Sequence, residues 1–455
     1  MRFSAGFALL LLLTQSCTLS RDGAATCRDS SECRAAFGNQ SVCGDDGFCT
    51  QAETSPRCSI RFPSEPAADT IFFGTIIDGS LATHEARARS VELAVRDASE
   101  AGGIDGRTFG LYVCTNEVNE ALDTLTQDEA SVSDANFLAS VGAVALIGPP
   151  SSASTEAVFR NATNSLLIIS PSASSVALTE LEGAPSDEAP GRLWRTTPRD
   201  DSQVQRIAAD LEGRSVGSVA IVHADDAYGL GIASRVEAEL SGVTLFSYDS
   251  AARLSELIAE VGRRDDEEVM IVSSDTEEVL NFLLGAAASE RFDAKTFFLT
   301  DAAANRDLAA GIMDQTMLFS RLRGTRPSVP DAATRDAFFA RYQLTFEDNV
   351  RDLSFTTNSY DAAWIAIYAS AWAIAQEGGE LTATTLGRGL RRIASGPSVN
   401  ISISGFDQVR EAFARGESVD VIGTSGNLDY DPATEEFPGT FELWGVDASG
   451  LISLE

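Results

Sequence analysis

The chain has 455 residues, with 67 acidic against 34 basic residues and a formal net charge of −33. Its 44% hydrophobic and 22% charged content is typical of a soluble globular protein, and its length favours two lobes over one core. Binding of nucleic acid needs a basic stripe, which the sequence lacks, so no nucleic-acid partner is expected; the acidity favours solubility, as in a saline setting.

The first 17 residues predict a secretory signal. Arg2 precedes an apolar stretch from Ala5 to Leu13, which is too short to span a bilayer as a helix. Cys17 follows directly and resembles the acceptor of a bacterial lipoprotein signal. We therefore expect a signal peptide over 1–17 and a lipid anchor at Cys17 in the periplasm or cell envelope, with a plain export signal as the alternative.

Residues 18–57 predict a small cysteine-rich module and a linker. After Cys17, six cysteines remain, and an even number in an exported chain predicts disulfides. The six are Cys27, Cys33, Cys43, Cys49, Cys58 and Cys114. The first four suggest a module with two bridges, and the last two a third bridge, although six cysteines permit about 15 pairings. Zinc bound by the first four is the alternative, and no metal is expected.

From Thr70 onward, strand-length apolar runs alternate with amphipathic helical stretches, which predicts βαβ units and a parallel sheet. The first long helix shows an apolar face of Val91, Ala94, Val95 and Ala98. The pattern restarts near residue 200, so the fold class is α/β with two doubly wound parallel-sheet lobes and a cleft between them.

The predicted division gives 58–196 plus 325–425 to the first lobe and 197–324 plus 426–455 to the second. Late in the chain, Tyr360 and Trp364 share a helical face and are interpreted as core residues. Two strand-like runs, NLDYD and TFELWGVD, end the chain.

Residues 145–157, ALIGPPSSASTEA, place serines after a predicted strand, at the start of a predicted helix. A nucleophile there needs a base, and the only histidines are His84 and His223; no G-x-S-x-G turn accompanies Ser151, Ser152 or Ser154. A phosphate loop needs a Gly-Lys-Ser/Thr ending, which is also lacking. We therefore expect an anion socket built on Ser152 and no catalytic residue or cofactor, with a serine hydrolase using His223 as the remaining enzymatic alternative.

Two acidic residues also follow predicted strands. Asp275 comes after MIVSS and Asp301 after KTFFLT. Strand ends of a parallel sheet meet at the ligand-binding edge, so both are candidates to receive an ammonium group. The alternative for each is an ordinary cap of the following helix.

Several phrases occur in an order that resembles a known family. They are GGIDGR (102–107), ALIGPPSSAST (145–155), LLIISPSASSVALT (166–179), LWRTTPRDDSQ (193–203), VAIVHADDAYGLG (219–231) and GNLDYD (426–431). Over residues 70–445 the chain resembles the type I periplasmic solute-binding proteins, in the leucine/isoleucine/valine-binding branch of ABC transporters.

This resemblance implies two lobes joined by three crossovers that close on a small amino-acid-like ligand. It implies that Ser152, Ser172 and Ser174 hold the ligand's carboxylate, that the ring of Tyr228 covers the ligand, and that Asp301 receives the ammonium. An ABC permease is the implied partner.

Two features depart from the family pattern. The segment around Asp275 is polar, so Asp275 and Asp301 together predict a ligand with extra positive or hydrogen-bonding character. The cysteine-rich module lies outside the family plan. The alternative function is therefore a ligand-sensing surface receptor that is not coupled to a transporter.

Overall fold

The computed structural model describes residues 26–118, 124–330 and 333–454. The predicted signal segment 1–17 and Cys17 lie outside these ranges. Within them, no helix combines the length and apolar character needed to cross a membrane.

A small module precedes the lobes. Helix α1 (Ser30–Phe37) packs beside an antiparallel pair, β1 (Ser41–Cys43) and β2 (Cys49–Gln51). Disulfides join Cys27 to Cys43 and Cys33 to Cys49. The predicted disulfides are thus confirmed, and zinc would lack the free thiolates that it requires.

The first lobe contains a six-stranded sheet of order β3-β5-β4-β6-β7-β8, parallel except for β3. Its strands are β3 (Cys58–Phe62), β4 (Ile71–Ile77), β5 (Phe109–Thr115), β6 (Ala145–Ile147), β7 (Leu167–Ser170) and β8 (Leu193–Arg195). Cys58 pairs opposite Cys114 across β3 and β5, and the third disulfide joins them. Every residue of β4 is buried, which is typical of a parallel strand covered on both faces.

The helices of this first series are α2 (Ala82–Glu100), α3 (Gln127–Ser140) and α4 (Ser152–Asn161). The predicted face of α2 is buried, with Val91 and Ala98 at most 1% exposed. The chain then turns at Gly103, whose φ is +62°. A Cβ there would lie 1.9 Å from the Arg107 carbonyl oxygen, so only glycine fits.

The second lobe contains a seven-stranded sheet of order β10-β9-β11-β12-β13-β16-β17, whose first five strands run parallel. These five are β9 (Val219–Ala224), β10 (Val243–Tyr248), β11 (Glu268–Val272), β12 (Thr296–Leu299) and β13 (Leu322–Pro327). Its helices are α5 (Asp200–Gly213), α6 (Gly229–Glu239), α7 (Ala251–Val261), α8 (Thr276–Ala287), α9 (Arg306–Gly311) and α10 (Thr316–Phe319).

After β13 the chain returns to the core of the first lobe. This part contains α11 (Ala333–Phe346), α12 (Thr356–Gln376), α13 (Ala383–Leu390), β14 (Ser398–Asn400), α14 (Ile403–Ala414) and β15 (Asp420–Ile422). Helix α12 is buried from Thr356 through Ala373, and Tyr360 and Trp364 lie in the core, as predicted. A last crossing leads to β16 (Phe441–Val446) and β17 (Ile452–Leu454), which extend the second sheet with antiparallel pairing.

The two sheets with their helices confirm the predicted fold class. The strand-like reading of NLDYD is wrong, because this segment forms only isolated bridges at Asn427 and Asp431. Its Leu428 and Tyr430 pack in the core of the first lobe, so their apolar character reflects burial rather than strand pairing. The residues at which the lobes divide stay a prediction.

Candidate functional site

A cavity of about 20 Å³ lies between the two lobes, beside the carboxyl ends of their strands. The first lobe contributes His84, Arg87, Ser151, Ser152 and Ser172 to its lining, and the second contributes Tyr228, Ser274, Thr276, Asp301 and Asn305. Such a volume holds a water molecule or two. The amino-acid-like ligand that the resemblance implies is larger than this volume, so its entry would need the lobes to separate or lining side chains to move.

Contacts between the lobes surround this cavity. The Thr83 hydroxyl donates to the Asp307 carboxylate at 2.9 Å, and the Ser175 hydroxyl donates to the Ala227 carbonyl at 2.9 Å. Arg306 forms ion pairs with Asp348 and Asp352 at 2.9 and 3.0 Å. The structure is therefore one in which the lobes are in contact.

The start of helix α4 forms one wall. Gly148, just before it, has a φ of +117° and permits the sharp turn after β6. Ser151 caps the helix by accepting the Ser154 backbone N–H at 3.1 Å. The Ser152 hydroxyl accepts the Ser175 backbone N–H at 3.2 Å, which leaves its own proton free to donate. This proton and the unpaired N–H groups of the first helical turn favour an anion.

The structure places the other two predicted serines differently. Ser172 lines the cavity, but its hydroxyl donates to the Pro150 carbonyl at 2.8 Å. Ser174 is fully buried outside the lining, and its carbonyl accepts the Asp200 backbone N–H at 3.0 Å. Among the three, Ser152 alone both lines the cavity and keeps a hydroxyl proton that no described residue accepts.

The opposite wall is acidic. The Tyr228 hydroxyl donates to Oδ1 of Asp301, and Nε2 of Gln203 donates to the same oxygen at 2.9 Å. Asp301 is 1% exposed. Burial raises the pKa of Asp301, whereas these two hydrogen bonds favour its charged form. Tyr228 and Asp301, each predicted to contact the ligand, therefore lie together in this wall and are joined by a hydrogen bond from the tyrosine hydroxyl.

Asp275 does not join this wall. Its carboxylate caps α8 by accepting the backbone N–H groups of Glu277 and Glu278 at 2.7 and 3.4 Å. Its neighbours Ser274 and Thr276 line the cavity instead. The two carboxylates that the sequence predicts to act together are thus separated, and capping explains the position of Asp275.

A second buried carboxyl group lies behind the acidic wall. Asp200 is 1% exposed, and neither of its oxygens has a hydrogen bond of good geometry from a described residue, although the Ser174 hydroxyl is near enough to favour the charge. Burial, and then the charge of Asp301, raise the pKa of Asp200 to about 8. Asp200 is therefore mostly neutral at pH 7. Of the two carboxyl groups, only Asp301 lines the cavity.

Helix α2 contributes two cavity residues, Arg87 and His84, that are not among the predicted ligand contacts. The Arg87 guanidinium stacks 4.7 Å from the centre of the Phe355 ring and is 7% exposed. Burial lowers the pKa of Arg87 to about 10, against the opposing effect of Asp301 and Asp307, so the group stays charged at neutral pH. The sequence did indicate that Arg87 is buried, because it lies four residues before Val91 on the predicted apolar face.

The second is His84, one turn earlier. Its Nδ1 accepts the Asp78 backbone N–H at 3.2 Å, which places the ring proton of the neutral form on Nε2. Burial, and then the charge of Arg87, hold the pKa of His84 well below its ordinary value. His84 is thus a neutral donor that faces the cavity.

His223, the predicted base of the hydrolase alternative, lies elsewhere. Its Nδ1 is 2.9 Å from the Ala224 carbonyl oxygen, and it is not part of the cavity lining. His84 does line the cavity, but no described serine forms a hydrogen bond with it.

Comparison with known proteins gives a family and a fold. The family model described as "Receptor family ligand binding region" matches residues 86–449. The substrate-binding protein BasB of the chemotactic signal transduction system of Halobacterium salinarum is 24% identical over 373 residues, which cover 79% of this chain and 82% of that protein.

Solved structures agree on the fold. LivJ from Streptococcus pneumoniae in complex with isoleucine has a TM-score of 0.62 at 18% identity, over 85% of this chain and 99% of that one. The leucine-binding protein LivK from Thermotoga maritima has a TM-score of 0.62 at 14% identity, over 85% and 98%. A solute-binding protein from R. palustris in complex with 4-hydroxybenzoate gives 0.62 at 14%, over 85% and 96%.

Proposed function

Since this chain belongs to the family described as receptor family ligand binding region, we propose that it is an exported, lipid-anchored solute-binding protein. It captures a small amino-acid-like ligand between its lobes by hinge closure and delivers it to an ABC permease. It has no catalytic activity.

The observation that carries this proposal is the opposite polarity of the two cavity walls. The first lobe presents the Ser152 hydroxyl and the start of α4, and the second presents Asp301. A zwitterion that spans the cleft pairs its carboxylate with the first wall and its ammonium with the second. Such a ligand would bind the closed state better than the open one, which is what closure requires.

The ligands named for two similar structures support a carboxylate. One structure contains isoleucine and another 4-hydroxybenzoate, and both molecules carry that group. The anion socket at α4 is the matching feature of this chain.

A ligand screen tests the proposal. Thermal shift with the twenty amino acids, followed by calorimetry, should find at least one that stabilises the protein. Mass spectrometry should then recover that ligand intact. A chemically altered ligand, with turnover lost on His223→Ala, would instead establish the hydrolase.

The contact at the start of α4 has its own test. Ser152→Ala removes a hydroxyl donor to a charged group, so we expect affinity to fall about 10- to 100-fold. Ser154→Ala is the matched control, because this buried hydroxyl on the same turn donates to Asp128 at 2.6 Å and does not line the cavity. Equal affinities of the two variants would show that Ser152 makes no ligand contact and that this loop only caps helix α4.

Lipid anchoring is tested separately. Cells that express the full chain with radiolabelled palmitate should incorporate label into the protein, and Cys17→Ser should remove both the label and the membrane association. Label retained by Cys17→Ser would reject this anchor.

A second candidate function is ligand sensing. The relative BasB is named as part of a chemotactic signal transduction system, and the disulfide-bonded module at 27–49 precedes the family region. Deletion of the gene separates the two candidates. Loss of ligand uptake supports transport, whereas loss of a behavioural response with normal uptake supports sensing.

A further inference from the structure

We propose that Arg87 and His84 form a second anion subsite and that the ligand is an amino acid with an acidic side chain. This rests on the proposed binding function and adds the class of the ligand. It departs from the sequence prediction of extra positive character, which required Asp275 to act with Asp301.

Arg87 is a buried charge without a hydrogen-bond partner. It is 7% exposed, its Nε is fully buried, and no hydrogen bond joins its guanidinium to a described residue. The guanidinium carbon of Arg87 lies over the Phe355 ring, 4.7 Å from its centre. Unpaired buried N–H groups of a cation cost free energy, and a carboxylate is the planar partner that matches their geometry.

His84 supplies a further donor beside Arg87. The two residues are three apart on α2, so they lie on the same face of the helix, and both line the cavity. Nδ1 of His84 is occupied by the Asp78 N–H, and the protonated Nε2 has no partner among the described residues. The guanidinium and this N–H together form a site for one carboxylate.

The first carboxylate of an amino acid does not need Arg87. The Ser152 hydroxyl and the free N–H groups of α4 already provide donors for it, and Asp301 accepts the ammonium. A ligand with a neutral side chain would therefore leave the buried Arg87 guanidinium without a hydrogen-bond partner. A ligand with an acidic side chain pairs it.

Calorimetry at pH 7 tests this, with glutamate and aspartate measured against glutamine, asparagine and leucine. The acids should bind at least about 30-fold more tightly than their amides, because each amide lacks the charge that pairs with Arg87. Arg87→Met should lower glutamate affinity about 100-fold and change glutamine affinity by less than about 3-fold.

The matched control is Arg96→Met on the same helix. The Arg96 guanidinium lies 4.6 Å from the centre of the Phe62 ring, much as Arg87 lies on Phe355, but it is paired with Glu92 at 2.6 Å and does not line the cavity. It should leave every affinity unchanged. If Arg87→Met does not fold, Arg87→Lys keeps the charge without the planar fork and should cost glutamate about 10-fold.

Three results would overturn the proposal. Amides that bind as tightly as the acids would show that no second anion subsite operates, while the binding function stands. Equal losses for glutamate and glutamine in Arg87→Met would assign Arg87 to the first carboxylate instead. Absence of binding by any amino acid would reject the proposed ligand class and this subsite with it.

Discussion

The first lobe buries two arginines with opposite surroundings. The Arg195 guanidinium donates to the carbonyls of Ala173 and Ser175 at 3.2 and 2.7 Å and pairs with Glu436. The Arg87 guanidinium, against the cavity, has no such partners among the described residues. Burial alone therefore does not distinguish a structural charge from one available to a ligand, whereas the state of its hydrogen bonds does.

The buried carboxyl groups repeat this contrast. Asp361 accepts four hydrogen bonds, two each from Thr424 and Ser425, at 2.6 to 2.8 Å. Asp200 has none of comparable geometry. Burial raises the pKa of Asp361 to about 6 and that of Asp200 to about 8, and the smaller shift belongs to the group with more donors.

The largest effect on the free energy of unfolding should come from Arg195→Met. This change leaves Glu436 largely buried beside unpaired carbonyls, so we expect the free energy of unfolding to fall by about 3 to 5 kcal/mol. Urea denaturation of the ligand-free protein measures it. A loss below about 1 kcal/mol would show that the hydrogen bonds of Arg195 add little to stability and that the contrast with Arg87 has no energetic consequence.

A smaller effect should come from Asp200→Asn and should depend on pH. The pKa of Asp200 is about 8 in the folded protein against an ordinary 3.8, so between these values the folded state holds a proton that the unfolded state has lost. The contribution of Asp200 to wild-type stability should therefore fall as pH rises through this range, by up to about 1.4 kcal/mol per pH unit.

Asp200→Asn should remove that contribution, so the stability difference between variant and wild type should grow in favour of the variant from pH 5.5 to 7.5. Urea denaturation at several pH values measures it. Asp201→Asn is the control, because this neighbour is more exposed and pairs with Arg199 at 2.6 Å. Parallel pH profiles of wild type and Asp200→Asn would mean that Asp200 is ionised in the fold.

The smallest effect on stability should come from Arg87→Met. Because the guanidinium has no hydrogen bonds to lose, we expect the ligand-free protein to be as stable as wild type or more stable by about 1 kcal/mol. Thermal and urea denaturation without ligand measure this. A loss above about 2 kcal/mol would place Arg87 with Arg195 as a structural residue.

Part of the site could be predicted from strand ends. Ser152, Ser172, Tyr228 and Asp301 each follow a strand, and the structure brings them to one cavity because such ends share an edge of their sheet. Asp275 follows a strand too, but its carboxylate caps α8 instead of lining the cavity. Sequence position fixes the neighbourhood of a side chain and leaves its hydrogen-bond partner open.

Other site residues depend on tertiary packing. Gln203 reaches Asp301 across 98 residues of sequence, and no local pattern contains that contact. Arg87 is different, since positions 87, 91, 94 and 98 lie on one face of α2 and three of them are apolar. A charged residue on such an apolar face indicates a buried charge, and this could be recognised from the sequence.

Strand β3 carries a mechanical consequence. It pairs antiparallel with β5 and is bonded through Cys58 to Cys114, so the segment that leads from the amino-terminal module is part of the first lobe's sheet. Force applied to the amino-terminal end is therefore transmitted to the first lobe. If the amino-terminal end were held fixed, opening of the cleft would move the second lobe, with Tyr228 and Asp301, away from Ser152 and Arg87 in the first lobe.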